Sequence, residues 1–91
     1  MKNPIKFTWV CTCPAYPEQY DVYLDEGPAV AYVRLRSGCL TVNPYANGQI
    51  DWNNEIYYHE FDDEWSGCFD SDNERSKYQK EIEKAIIKNL L

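Results

Sequence analysis

The sequence lacks the residues that most catalytic sites need. It has one histidine, His59, and contains no Gly-x-Ser-x-Gly, phosphate-binding loop or His-Glu-x-x-His motif. No catalytic constellation can therefore be assembled from its residues, and we expect a protein that is not an enzyme and needs no cofactor. Long apolar runs are also missing, so no segment is predicted to span a bilayer.

Basic residues are scarce. Nine Lys and Arg stand against fifteen Asp and Glu, which gives a formal net charge of -6. Because phosphate binding requires clustered basic side chains, this charge disfavours nucleic acid and anionic membranes as direct partners. It allows a basic protein surface as partner. The amino-terminal residues 1–4 lack the apolar core of a signal peptide, so we expect a cytoplasmic protein.

Disulfides are not expected, since a reducing cytoplasm keeps cysteines as thiols or metal ligands. The four cysteines are Cys11, Cys13, Cys39 and Cys68. Cys11 and Cys13 are two residues apart on a predicted strand, so both could bind one zinc, with the others and His59 completing the site. However, the Cys-x-x-Cys motif of many zinc sites is absent. Cys11 and Cys13 share with Trp9 the strand face that is predicted to be buried in the core, whereas Cys39 is predicted to point away from the core. We expect no metal; a small zinc-binding or structural module is the alternative function.

The chain has an apolar content of 44% over 91 residues, enough for one small core, so we expect a single domain over residues 1–91. The central stretch Tyr20–Val42 alternates almost strictly between apolar and polar residues, which predicts a three-stranded meander. Turns at Ser37-Gly38 and at 25–28 fix the register. The predicted opposite pairs are Leu35 with Leu40, Val33 with Val42, Leu24 with Ala29, Val22 with Ala31, and Tyr20 with Val33.

Further elements flank the meander. Strands are predicted over Ile5–Cys13 and around Glu55–Phe61, with Pro44 ending the third meander strand and Asn47-Gly48 forming a tight turn. A helix should follow Ser71, which has capping-box spacing to Glu74. Its apolar stripe is Tyr78, Ile82, Ala85, Ile86 and Leu90. The predicted fold is α+β: an antiparallel sheet of four to five strands packed on one face by a C-terminal helix.

An acidic stretch precedes this helix. No Lys or Arg occurs between Ser37 and Glu74, a span that holds nine acids. Helix capping does not account for the Asp-Asp-Glu run at 62–64. Carboxylates interleaved with aromatics suit contact with a basic groove, including one that normally holds nucleic acid. A solvated edge that aids solubility is the alternative. The predicted partner-binding residues are Asp62, Asp63, Glu64, Trp65, Glu60, Asp70 and Asp72.

A secondary face lies opposite the predicted core of the meander. It is aromatic and apolar for a solvent face, and its main residues are Tyr23, Tyr32, Arg34 and Arg36. The arginines can stack on the tyrosines or pair with Asp21. Three uses stay open for this face: a partner protein, a second copy of the chain in a homodimer, or another part of the same chain such as the Ile56 strand.

The segments Glu18–Tyr23 and Tyr32–Arg36, together with the run 67–69 and the start of the helix, resemble small acidic proteins encoded by bacteriophages and prophages. The resemblance covers most of the chain but carries no site residues. It implies a phage or mobile-element accessory protein in the host bacterial cytoplasm. Such a protein would inhibit a host defence protein, for example a CRISPR nuclease, as anti-CRISPR proteins do.

Overall fold

The computed structural model describes residues 6–14, 17–62, 67–69 and 71–90. Within these ranges it contains six strands and one helix. The elements are β1 (Phe7–Cys13), β2 (Glu18–Leu24), β3 (Ala29–Arg36), β4 (Cys39–Ala46), β5 (Gln49–Ile50), β6 (Tyr57–Glu60) and α1 (Asp72–Leu90). The predicted α+β class is confirmed, with a two-residue β5 beyond the predicted strands. The predicted start of the first strand at Ile5 lies outside the described residues.

The sheet is an antiparallel meander with a divided last position. Each of β1 to β4 pairs with the next strand along the chain. Both β5 and β6 then pair with β4, on the side away from β3. Within the described ranges, β1 is therefore one edge of the sheet, and β5 with β6 forms the other.

The predicted register is confirmed for four of the five pairs. The pair Leu24 with Ala29 is wrong, because Tyr23 lies opposite Ala29 and Val30 becomes the extra residue of a β-bulge. The cause is the turn, which is tighter than predicted: the Gly27 N–H donates to the Leu24 carbonyl at 3.0 Å.

Pro44 does not end its strand, contrary to the prediction, because β4 continues to Ala46. The Pro44 carbonyl accepts from the Asp51 N–H at 2.8 Å, so its nitrogen also points toward the loop between β5 and β6. On that side no group of a neighbouring strand in the described ranges faces Pro44. The N–H that proline lacks therefore removes no hydrogen bond from the sheet.

The predicted Asn47-Gly48 turn is confirmed. Both residues have positive φ, 54° and 80°, as a type I′ hairpin turn requires. This turn returns the chain alongside β4 and so places the following loop at the end of the sheet.

Gly48→Ala tests this turn. A Cβ at Gly48 would meet no atom within 4 Å, so the only cost is the left-handed backbone, about 1 kcal/mol of unfolding free energy. Gly48→Asn should lose less, because Asn tolerates this conformation. Chemical denaturation measures both variants, and equal stability of Gly48→Ala and the wild type would contradict the turn assignment.

The core lies between the sheet and α1. Its sheet side comprises Tyr20, Val22, Ala31, Val33, Leu35, Leu40 and Val42, and its other members are Phe69, Tyr78, Ile82 and Ile86. The predicted packing of Ile82 and Ile86 in one core with the meander residues is thus confirmed. Leu90 is 53% exposed, so its predicted place in the buried stripe is wrong. Four residues make slightly more than one helical turn, so each step of four moves the side-chain direction by ~40° around the helix axis. Successive steps therefore carry Leu90 away from the sheet.

The helix begins with the predicted cap. The Glu74 N–H donates to Ser71 Oγ at 3.1 Å. This bond satisfies one of the N–H groups that a helix start leaves without an intrahelical acceptor.

Candidate functional site

The helix packs on one face of the sheet, and the residues that point away from it define the open face. Alternation along the strands sorts this face into rows of cross-strand neighbours. The first row is Val10, Asp21, Tyr32 and Asn43; the second is Gln19, Arg34, Thr41 and Tyr58; the third is Arg36, Cys39 and Glu60.

Trp52 lies over the first row. The Asn43 side-chain amide donates to the carbonyls of Asp51 at 3.2 Å and Asn54 at 3.3 Å, which holds the loop after β5 against the open face. The Trp52 ring packs edge-on against Tyr32, with centroids 5.6 Å apart. Trp52 is nevertheless 62% exposed. The loop therefore presents a large aromatic ring to solvent in a fixed position.

Tyr45 pins Asp21 on the same face. Its hydroxyl donates to Asp21 Oδ1 at 2.7 Å. Burial of the ring, followed by this bond to a carboxylate, raises the pKa of Tyr45 to about 12. Asp21 therefore already has a neutral partner in Tyr45, whereas the sequence suggested a pairing with Arg34 or Arg36.

Tyr58 joins the second row to the third. It is 53% exposed, its hydroxyl lies 3.5 Å from Cys39 Sγ, and it donates to Glu60 Oε2 at 3.2 Å. The contact with Cys39 and then the bond to Glu60 raise the pKa of Tyr58. Arg36 lies opposite Cys39 in the third row. A stretch of sequence without basic residues thus becomes a surface of mixed charge once neighbouring strands are assembled.

The secondary face predicted from the sequence is part of this open face. Tyr23, Tyr32 and Arg34 are half-buried there, and Arg36 is exposed. Ile56 packs with the core, and β6 extends the sheet beside β4 instead of covering the open face. The Ile56 strand therefore does not cover this face, and the described part of the same chain that does lie on it is the loop 51–54.

The predicted acidic site is only partly within the described residues. Asp63, Glu64, Trp65 and Asp70 lie outside them. Glu60, Asp62 and Asp72 are exposed. Glu60 belongs to the open face, whereas Asp72 is in the first turn of α1, where it pairs with Arg75. The two carboxylates have different partners: Glu60 accepts from Tyr58, and Asp72 accepts from Arg75.

The cysteines are dispersed. Cys11 is exposed, which contradicts its predicted place in the core, because β1 is an edge strand away from the centre of the sheet where α1 packs. The prediction is also wrong for Cys13, because the bulge after Cys11 sets Cys13 opposite Gln19, a residue of the open face. Cys39 belongs to the open face, three strands away from β1 in the sheet order. In the part of the chain that the structure describes, no group of three or more His, Cys, Asp or Glu is placed to hold a metal ion.

His59 packs against the helix. Its Nε2 lies 3.2 Å from the Tyr78 hydroxyl, and its ring contacts Phe61 edge-on at 4.7 Å between centroids. These contacts give the lone histidine a packing role beside the core.

Sequence reasoning missed Glu18, the most buried charged side chain that the structure describes, with 1% exposure. Its Oε2 accepts from the Tyr20 hydroxyl and from Arg75 Nε at 2.7 Å. Its Oε1 accepts from the Phe69 N–H at 3.0 Å. Burial alone would raise the pKa of Glu18, but the bonds from Arg75, Tyr20 and Phe69, with the charge of Arg75, outweigh it and lower that pKa.

Glu18 joins three parts of the fold. Its N–H donates to the Gly67 carbonyl at 2.7 Å, and its carboxylate binds Phe69 and Arg75, so the segment 67–69 and the helix start are fixed to β2. The sequence carried a signal for this: Glu18 has the same strand phase as Tyr20. Because its carboxylate is saturated with donors, we assign it to stability and not to binding.

Comparison with protein-family models finds no match, and comparisons with curated proteins and with solved structures find none either. Within the described ranges, the single helix is too polar to cross a membrane. The open face is therefore the feature of the molecule that bears on its function.

Proposed function

We propose that this is a non-enzymatic binding protein that recognises another protein through its open face. The observation that supports the proposal is the pair of exposed aromatic side chains, Trp52 and Tyr58, held in position on a sheet face that the helix does not cover. Such side chains are rarely left in solvent without a use when they are grouped on one surface.

The composition of the face suits a protein interface. Trp, Tyr and Arg are the residues most enriched among those that dominate binding energies. Trp52 is braced by Tyr32, and Tyr58 is bonded to Glu60, so both lose little freedom on binding. A surface ordered before contact keeps more of its interaction energy as affinity.

The charge of the chain favours a partner with a basic surface. The open face itself carries charges of both signs, with Arg36 in the same row as Glu60 and Arg34 in the adjacent row. The chain as a whole has a net charge of -6, and its field would steer a basic protein toward it. We therefore assign the aromatic residues to affinity and the surrounding carboxylates, including Asp62, to the rate of encounter.

The resemblance to phage proteins narrows the proposal. It implies that the partner is a host defence protein, such as a CRISPR nuclease, and that binding inhibits it. This narrower function stays a prediction from the resemblance. The broader one, protein binding by the open face, is supported by the arrangement of Trp52 and Tyr58 alone.

Capture from bacterial lysate tests the proposal. The bait proteins are the wild type, the double variant Trp52→Ala with Tyr58→Ala, and Leu90→Ala as the control. Leu90 is also an exposed apolar residue, but it lies at the end of the helix. We expect wild type and Leu90→Ala to retain one basic protein, identified by mass spectrometry, that the double variant loses.

The affinity for the captured protein gives the magnitude. Each of the two aromatic side chains should contribute about 2 kcal/mol to binding. Replacing either one by Ala should therefore raise the dissociation constant ~30-fold. Equal capture by all three baits would refute the open face as the binding surface, as would a partner lost only with Leu90→Ala. Far-ultraviolet circular dichroism confirms that each bait is folded.

A further inference from the structure

The edge strand β1 has backbone groups with no partner in the sheet. Within the described part of the chain, β1 pairs with β2 alone. The Asp25 N–H donates to the Lys6 carbonyl at 2.7 Å, so the backbone carbonyl of Lys6 points toward the β2 side of the strand. Because antiparallel ladders alternate, the N–H and C=O groups of Phe7, Trp9 and Cys11 point outward, away from β2.

The side chains of this strand do little to protect its edge. Natural proteins block such edges with charged residues, especially Lys, with Pro, or with a covering element. The strand Phe7–Cys13 contains no charged residue and no Pro, and its bulge lies only at its end, between Cys11 and Cys13. Val10 is 45% exposed in the middle of it.

We propose that β1 is a self-association edge, where two copies of the chain pair antiparallel strand to strand about a two-fold axis. The inference is independent of the proposed function, because it concerns a different surface and a different partner. A second copy fits since an uncharged strand can pair with itself without placing like charges directly opposite one another.

The register follows from the outward-facing residues. With Trp9 opposite the partner's Trp9, Phe7 lies opposite the partner's Cys11, and all outward N–H and C=O groups of the three residues are bonded. Trp9 has room for this, because it leans inward: its Nε1 donates to Glu83 at 2.9 Å and its ring contacts Tyr20 at 5.5 Å. On the open face, Val10 then lies opposite the partner's Thr8.

Such pairing would place the helices of both copies on one side and both open faces on the other. A two-fold axis perpendicular to a shared sheet keeps equivalent faces together, and the same patch serves both subunits. The dimer would therefore display two copies of the Trp52 and Tyr58 surface in one continuous sheet.

Analytical ultracentrifugation over a wide range of protein concentrations tests the association. The samples are the wild type, Val10→Lys, which places a Lys on the edge, and the matched control Leu90→Lys, which adds the same charge at another exposed apolar residue. We expect a monomer–dimer equilibrium for wild type and Leu90→Lys, and a monomer for Val10→Lys. At concentrations where the wild type is also monomeric, the melting curve of Val10→Lys should match it. A monomeric wild type at all concentrations, or equal dimerisation of both Lys variants, would overturn the proposal.

A disulfide trap tests the register. In a Cys11→Ser background, Thr8→Cys combined with Val10→Cys should give a covalent dimer on mild oxidation, because these positions face one another across the axis at a spacing that a disulfide can bridge. Leu90→Cys in the same background is the control and should stay monomeric. Absence of a peptide linking positions 8 and 10 of two chains, by mass spectrometry, would contradict the register.

Discussion

Ile82→Asp should abolish the cooperative unfolding transition of the protein. Ile82 is 0% exposed and belongs to the core that α1 forms with the sheet. A carboxylate there would be buried without a partner, at a cost of several kcal/mol, about 4 or more. The lost apolar contacts of Ile82 add about 2–5 kcal/mol, so the total approaches the ~5–10 kcal/mol stability of proteins of this size and the variant should be largely unfolded.

Ser76→Asp is the matched control for this variant. It introduces the same side chain into the same helix, at a position that is exposed. Its thermal transition, measured by circular dichroism, should lie close to that of the wild type. A cooperative melt of Ile82→Asp at the wild-type temperature would refute the packing of the helix on the sheet.

Glu18→Ala should be the next most disruptive change. It leaves Arg75 without its buried carboxylate and the Tyr20 hydroxyl and Phe69 N–H without an acceptor. Removing one member of a buried ion pair typically costs about 3–5 kcal/mol. Because Arg75 is 28% exposed and keeps Asp72 as a partner, we expect a loss at the lower end, about 3 kcal/mol of unfolding free energy. Glu18→Gln keeps an acceptor oxygen and should lose less. Urea denaturation measures both, and a loss below about 1 kcal/mol for Glu18→Ala would contradict the anchoring role.

The same carboxylate should make stability depend on pH. The folded-state pKa of Glu18 is lowered from its ordinary value of 4.5. Its contribution is therefore fully present above the unfolded-state pKa and is lost as pH falls through the lowered folded-state pKa. Below pH 4.5, wild type should lose unfolding free energy more steeply than Glu18→Gln, which has no carboxyl at this position.

The meander was predictable because a one-residue slip moves a whole strand to the wrong face. This constraint predicts the pairs Leu35 with Leu40 and Val22 with Ala31, but it does not determine the conformation of the turns. The bulge at Val30 and the continuation of β4 beyond Pro44 depend on hydrogen bonds made by Gly27 and Asp51, which are local choices that alternation does not encode.

The candidate site was less predictable. Tyr32 and Arg36 were placed on the secondary face from their phase, and the structure has them there. Trp52 was missed because strand alternation does not apply to a loop residue. The position of its loop depends on tertiary contacts, among them the hydrogen bonds of the Asn43 side chain. The count of charges along the sequence was also misleading, since Arg36 and Glu60 come into the same row only through the pairing of three strands.

Hydroxyl-radical footprinting of the complex with the captured partner tests the central claim most directly, because it reads side-chain exposure residue by residue. Trp52 and Tyr58, which react readily in the free protein because they are more than half exposed, should become protected. Leu90, equally exposed at the far end of the helix, should stay reactive. Protection of Leu90 with Trp52 and Tyr58 unchanged would contradict the assignment of the open face as the binding surface.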